Sequence, residues 1–269
     1  MKNLYIALVL ITSVFHLQGQ DNLKKVEFGL GSELVSRYVW RGTQLSSTPS
    51  IQPQMSVDFA GFELACWGAY NFNGAEGAEV DLSLSYTIPG ELLTFMLTDY
   101  YFPGDQLKEG QYFNYKNKET GHILETTISF NGTENFPLSF LISTNFFGDD
   151  SRKVNNEPGS EFFNETEGVQ FSTYLELAYT INIDEFELNA FAGFTPNKPK
   201  AAKTLIFNNV EHDYVGETGF YGKTRGFVNL GVSANYALPI SEQFSLPISS
   251  SLIINPMSEN IFLVFGISI

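Results

Sequence analysis

The sequence has a single cysteine and few charged residues, and both scarcities restrict what the protein can be. Its 269 residues include only Cys66, which excludes an internal disulfide framework and a four-cysteine zinc site. Lys and Arg number 15 against 30 Asp and Glu, and a net charge of −15 without basic clusters argues against a nucleic acid partner. Charged residues are 17% and aromatic residues 15% of the chain. This composition is typical of β-rich proteins and excludes a disordered chain or a coiled coil.

Long apolar runs are also missing after the N-terminus. Residues 1–20 begin with Lys2, continue with an apolar stretch and end in small or polar residues, which is the pattern of a secretory signal peptide. No later segment approaches the roughly 18 uncharged apolar residues that indicate a transmembrane helix. We therefore expect a signal peptide at 1–20 and one exported domain, an outer-membrane β-barrel, at 21–269.

After the signal, apolar residues recur at every second position in segments of about ten residues, as in EVDLSLSYTI at 79–88. Such alternation is typical of the strands of membrane barrels. It predicts an all-β fold, an antiparallel up-and-down transmembrane β-barrel of about twelve strands. The predicted strands lie near 26–41, 50–60, 62–73, 78–88, 92–102, 121–131, 137–147, 168–182, 185–195, 226–238, 243–254 and 259–269.

The connections between these segments alternate between short turns and mostly long loops, as in barrels of the bacterial outer membrane. Aromatic residues cluster near the strand ends, with Trp40 and Tyr70 expected at the outer rim, as in the aromatic girdles of such barrels. The expected location is therefore the bacterial outer membrane, in contact with its lipid and lipopolysaccharide. A soluble β-sandwich or lipocalin-like barrel has the same alternation with the polarity inverted, and this alternative stays open.

Several short motifs in the first third of the exported chain are similar to those of one known family. They are SRYVWRG at 36–42, PSIQ at 49–52, GF at 61–62, WG at 67–68, EVDL at 79–82 and YYFPG at 100–104. This pattern resembles the TorF-type porin family of exported bacterial proteins. Members of that family usually have Asp-Tyr where this chain has Arg37-Tyr38. The resemblance implies an outer-membrane barrel with a channel role.

If the apolar rows face lipid, the polar rows face the lumen, because an Arg at mid-depth in the lipid face costs about 2–4 kcal/mol. The predicted pore-lining residues are Glu33, Arg37, Arg41, Gln52, Gln54, Asp58, Glu63, Glu79, Asp81, Glu125, Glu176 and Glu187. A mainly acidic lining predicts passive diffusion of small solutes or ions with a mild preference for cations. In a second interpretation, Arg37 and Arg41 form ion pairs with Glu33, Glu79 or Asp81 and brace the wall.

Catalytic and metal-binding signals are weak, so we expect no enzymatic activity, no cofactor and no metal. His122 begins a strand and suggests a membrane-embedded lipid hydrolase as one rival function. The tripeptide at 211–213 (Glu-His-Asp) and the acidic loop at 148–167 fit solvated surface loops, although the loop could also collect Ca²⁺ with lipopolysaccharide phosphates. Another rival is a plugged structural or adhesive barrel that acts through loops 103–120, 148–167 and 196–225.

Overall fold

A computed structural model describes residues 25–73, 78–103, 111–116 and 119–269. The predicted signal peptide at 1–20 lies outside these residues. The strands are β1 (Glu27–Val35), β2 (Tyr38–Trp40), β3 (Thr43–Ser46), β4 (Ser50–Phe59), β5 (Phe62–Asn71), β6 (Ala78–Thr87), β7 (Leu93–Tyr101), β8 (His122–Phe130), β9 (Leu138–Gly148), β10 (Arg152–Val154), β11 (Thr166–Val169), β12 (Thr173–Ile183), β13 (Phe186–Thr195), β14 (Lys203–Phe207), β15 (Val210–Tyr214), β16 (Gly226–Ser241), β17 (Phe244–Asn255) and β18 (Asn260–Ser268).

The strands of the wall close into one barrel, in the order β1-β18-β17-β16-β13-β12-β9-β8-β7-β6-β5-β4. At the closure, Glu33 pairs with Ser268 and Leu34 pairs with Ile267, while β4 covers the other edge of β1. Closure pairs β1 with β4 along its whole length and with β18 along its last residues, so the backbone polar groups in these paired stretches are satisfied within the wall. The predicted antiparallel barrel of twelve strands is confirmed.

The two faces of the wall have opposite polarity. The outward rows carry large apolar side chains that stay exposed, such as Leu30 (86%) and Leu263 (50%). The inward rows carry buried polar side chains, and Glu125 and Ser143 have no accessible surface. A soluble barrel or sandwich has the reverse distribution, because folding in water buries apolar surface. The exterior is therefore that of a barrel that faces lipid.

The two ends of the barrel differ in the length of their connections. One end, the turn end, has tight turns such as Ala60-Gly61, where positive φ angles of 59° and 88° match those of a two-residue β-hairpin. The other end, the loop end, carries the small sheets β2-β3, β10-β11 and β14-β15 in its long connections. No helix among the described residues is long and apolar enough to cross a bilayer.

Two predicted strands differ by five or more residues at one end from the strands of the structure. The strand predicted at 26–41 leaves the wall after Val35, so only nine of its residues belong to β1. The strand predicted at 168–182 begins only at Thr173. There Phe171 has a positive φ of 54°, which extended backbone does not accommodate.

Charge on the outward face should destabilise the barrel. We predict that Leu263→Arg lowers the free energy of unfolding in lipid vesicles by about 2–4 kcal/mol, because the guanidinium would enter the lipid. Gln54→Arg is the matched control, since Gln54 lies on an inward row and is exposed to the lumen. Equal losses in the two variants would contradict the assignment of the faces.

Candidate functional site in the barrel lumen

Residues 38–46, the lumen hairpin, leave the wall and fold into the barrel. Ser36 is the last residue bound to β18, through a backbone hydrogen bond to Phe265 of 2.8 Å. Trp40 then pairs with Thr43 around Arg41-Gly42, and both turn residues have positive φ, at 48° and 76°. This is the backbone of a type I′ turn, which reverses the chain within two residues.

The tip of the hairpin is pressed against the opposite wall. A Cβ on Gly42 would lie 1.9 Å from the carbonyl oxygen of Val228 in β16, so only glycine fits there. The side chain of Asn255 in β17 donates a 3.0 Å hydrogen bond to the carbonyl of Gly42. These contacts fix the turn that carries Arg41 deep inside the lumen.

Arg41 forms the central ion pair of the lumen. Its Nη1 binds Oε2 of Glu125 in β8, and its Nη2 lies 2.9 Å from Oε1 of the same carboxylate. Ser143 in β9 accepts from Nη2 at 2.9 Å, and Tyr221 in a loop-end connection accepts from Nη1 at 2.7 Å. Glu125 also accepts from Tyr100 at 3.0 Å. A bidentate pair with these additional bonds offsets the cost of burying both charges.

Aromatic rings enclose the guanidinium of Arg41 on both sides. Its Cζ lies 4.4 Å from the ring centroid of Trp40 and 4.7 Å from that of Tyr174 in β12. Trp40 in turn packs against Tyr221 at 6.2 Å and against Tyr100 at 5.5 Å. Cation–π contacts of this kind are strongest where water is excluded. The hairpin and the strands around it thus form one continuous polar and aromatic layer across the lumen.

The other side of the hairpin faces acidic residues of β6. Tyr38 packs on Trp67 with ring centroids 5.5 Å apart, and it also lines a cavity together with Glu79. A cavity of about 100 Å³ lies beside Tyr38 and Glu79 and is also lined by Ser50. Asp81 lies one inward position from Glu79 along β6, and its Oδ1 is buried without a hydrogen-bond partner among the described residues. Carboxylates therefore lie beside the narrow space that the hairpin leaves.

Towards the turn end the lumen opens into two wider cavities, of about 740 Å³ and about 500 Å³. Their linings contain many carboxylates and a single basic side chain, Lys25. The acidic residues of these linings are Glu27, Glu33, Asp58, Glu63, Glu91, Asp184, Glu185 and Glu187. The turn end of the lumen is therefore an acidic vestibule, which attracts cations.

The structure places most of the predicted pore-lining residues on inward rows of the wall. These are Glu33, Gln52, Gln54, Asp58, Glu63, Glu79, Asp81, Glu125, Glu176 and Glu187. Arg37 and Arg41 are exceptions, since neither lies on the first strand. Arg37 bonds Gln44 within the hairpin at 3.2 Å, and Arg41 pairs with Glu125 rather than with Glu33, Glu79 or Asp81. Whether these residues line a conducting path stays a prediction.

Most of the aromatic residues that fill the lumen were not predicted to lie there. Trp40, expected at the outer rim, lies inside it, and Tyr174 and Tyr221 were not predicted as site residues. The only available signal was length. A strand at 26–41 would exceed the roughly 9–11 residues that cross a membrane, but β16 keeps 16 residues in the wall, so length alone did not place the hairpin in the lumen.

His122 is not arranged as a catalytic base. Its Nδ1 lies 2.7 Å from Asp99, and its Nε2 lies 2.6 Å from the carbonyl oxygen of Tyr112. Both ring nitrogens are therefore occupied by acceptors, and neither contacts a serine. His212 lies against Phe163 and Phe207 in the loop-end connections. No three His, Cys, Asp or Glu side chains of the described part are grouped to hold a metal.

Fold and surface together define a transmembrane β-barrel. No family model matches the chain, and no curated protein matches it, so the TorF resemblance stays a prediction. Among solved structures, the chain is similar to the NanC porin, with 9% identity, a TM-score of 0.46, and coverage of 89% of this chain and 98% of that one. An outer membrane channel from Pseudomonas putida F1 has 10% identity, a TM-score of 0.43, and coverage of 93% and 98%. These similarities concern the type of fold.

The ion pair in the lumen should contribute strongly to stability. We predict that Arg41→Ala lowers the free energy of unfolding by about 3–5 kcal/mol, because it leaves the buried Glu125 carboxylate without its counter-charge. Arg37→Ala removes the same type of side chain just before the hairpin, where it is half-buried and donates to Gln44, so a loss of only about 1 kcal/mol is expected. Denaturant unfolding in vesicles measures both. An Arg41→Ala barrel as stable as the control would refute the role of the pair.

Proposed function

We propose that the protein is an outer-membrane channel in which small ions diffuse past the lumen hairpin, with a preference for cations. The observation that carries the proposal is the acidic lining of the lumen, in the vestibule at the turn end and at Glu79 beside the hairpin. The apolar exterior supports a membrane location, and the alternation of tight turns and long connections is typical of outer-membrane barrels. The narrowness of the space beside the hairpin limits the solute to small ions.

Charge in the vestibule and at the constriction has the same sign. Carboxylates raise the local concentration of cations and lower that of anions. Arg41 does not oppose this effect, because its charge is neutralised by Glu125 and enclosed by aromatic rings. The preference for cations is therefore assigned to the carboxylates of the vestibule and to Glu79, which lines the narrow space.

A second candidate function is a plugged barrel that acts through its outer connections. The dense hydrogen bonding of Arg41 favours it, because a hairpin bound this firmly does not leave spontaneously. The connections at 149–172 and 196–225 are also joined to each other, for instance through the side chain of Asn164, which donates to the carbonyl of Asp213 at 2.8 Å. This candidate predicts a folded protein without measurable conductance.

Removal of the lumen hairpin should widen the channel. We predict that replacing residues 38–46 with a Gly-Ser linker of equal length raises the single-channel conductance in planar bilayers several-fold, because the layer across the lumen is lost. Replacing the exposed hairpin at 203–214 in the same way is the control and should leave the conductance unchanged. Conductance that does not respond to loss of residues 38–46 would refute the proposed constriction. If the wild-type protein shows no conductance but the variant without residues 38–46 conducts, the result would instead support the plugged barrel.

Charge at Glu79 should set the ion preference. We predict that Glu79→Gln, which keeps the shape of the side chain and removes its charge, shifts the reversal potential in a salt gradient towards zero. Glu157→Gln removes the same charge from an exposed loop-end position and should leave the reversal potential as in the wild type. An unaltered potential in Glu79→Gln would show that the carboxylate does not select the ion.

A further inference from the structure

The outward row of β7 and β8 contains an ion pair where lipid-facing side chains are expected. Asp99 and Tyr101 share this row with the exposed Leu97, and His122 lies beside Tyr101 on β8. His122 Nδ1 is 2.7 Å from Asp99 Oδ1, yet the exposed fraction of His122 is 0%. A part of the chain outside the wall must therefore cover the pair, because charged groups exposed to lipid are costly.

The cover is the segment of residues 111–116, which lies against the outside of the barrel. The carbonyl oxygen of Tyr112 lies 2.6 Å from His122 Nε2. The ring of Tyr115 stacks on the imidazole at 4.1 Å, and its hydroxyl donates to Asp99 Oδ2 at 2.7 Å. Tyr101 stacks on the imidazole at 4.6 Å. Two hydrogen bonds and these stacked rings thus hold the segment to the wall.

One side chain of the segment points away from this cluster. Phe113 is 90% exposed, while its neighbours on the segment pack on His122. Around the loop end of the wall, β5 and β9 carry outward aromatic residues, Tyr70 (45% exposed) and Phe146 (39%). Between them Tyr101 is only 6% exposed, so the wall itself offers no aromatic ring to the interface there. Phe113 lies over the stretch where the girdle is interrupted.

We propose that residues 111–116 are a membrane anchor, in which His122 and Asp99 fasten the segment to the wall and Phe113 inserts into the lipid around the barrel. The partner that Phe113 contacts is the lipid of the outer leaflet, because the segment continues the lipid-facing surface of β5 to β9. This inference rests on the membrane location in the proposed function and not on conduction.

The fastening requires a proton on both nitrogens of His122. A carbonyl oxygen and a carboxylate only accept hydrogen bonds, so both bonds form with the imidazolium and one is lost when the ring is neutral. The groups that face the ring are Asp99 and Tyr101 from β7 and Tyr112 and Tyr115 from the segment. Burial, together with the hydrogen bond to Asp99, raises the pKa of Tyr115 above its ordinary value, so its donor persists as the pH rises. The fastening thus combines the two bonds of the imidazole with the hydrogen bond from Tyr115 to Asp99.

Tryptophan fluorescence in vesicles of brominated phospholipid tests the anchor, because bromine quenches only rings that enter the lipid. The native Trp40 and Trp67 pack on lumen residues, so the wild type supplies a baseline. We expect Phe113→Trp to be quenched as strongly as Leu97→Trp on the lipid face. Ile206→Trp, on the exposed hairpin at 203–214, should keep its emission.

The variant His122→Phe keeps a ring between the tyrosines but removes both hydrogen bonds, and it should abolish quenching in the Phe113→Trp background. Unquenched Phe113→Trp beside quenched Leu97→Trp would overturn the anchor, and quenching that survives His122→Phe would overturn the fastening. Absence of quenching in Leu97→Trp would instead refute the membrane location itself.

Discussion

Closure of β1 on β18 is the constraint on which the rest of the structure depends. A wall in lipid must satisfy its backbone hydrogen bonds internally, and only a closed sheet does so. Once the wall is closed and its exterior is apolar, charged side chains have two places left, the ends of the barrel and the lumen. Glu125 has no accessible surface because it lies on an inward row in the filled part of that lumen. The composition of the lumen thus follows from the chemistry of the exterior.

The lumen hairpin is the consequence of that arrangement. An inward carboxylate in an enclosed layer needs a counter-charge, and the wall strands around it supply acids and neutral polar groups. Arg41 brings the charge from outside the wall, on a turn that Gly42 allows to approach β16 closely. The same hairpin that neutralises Glu125 also narrows the lumen. Stability and restricted passage therefore have a common origin in one ion pair.

The sequence predicted the wall well and the hairpin badly, for a physical reason. Alternation along a strand records two opposite environments, so each wall strand carries its own evidence in consecutive residues. The lumen hairpin continues the alternation of β1 through Tyr38 and Trp40, and no local pattern distinguishes a ring that faces lipid from one that faces the lumen. Its partners, such as Glu125 and Tyr221, lie far along the chain. Their contacts arise only when the barrel closes.

For the predicted pore-lining residues, too, the direction of a side chain and its surroundings differ in how far they could be predicted. Glu79 and Asp81 lie inward because their strand fixes their direction, and this could be predicted from the alternation. The surroundings of each carboxylate could not be predicted, since the position of Tyr38 beside Glu79 depends on where the hairpin folds. The cluster around His122 shows the same limit. The outward direction of Asp99 follows from the strand, whereas its cover comes from a connection without periodicity.

The coupling between Arg41 and Glu125 tests the account most directly. A double-mutant cycle with Arg41→Ala, Glu125→Ala and the double variant, measured as free energy of unfolding in vesicles, isolates their interaction from other effects of each substitution. We predict a coupling free energy above about 1 kcal/mol, with the double variant less destabilised than the sum of the single variants. Strictly additive losses would contradict the ion pair across the lumen and the constriction that depends on it.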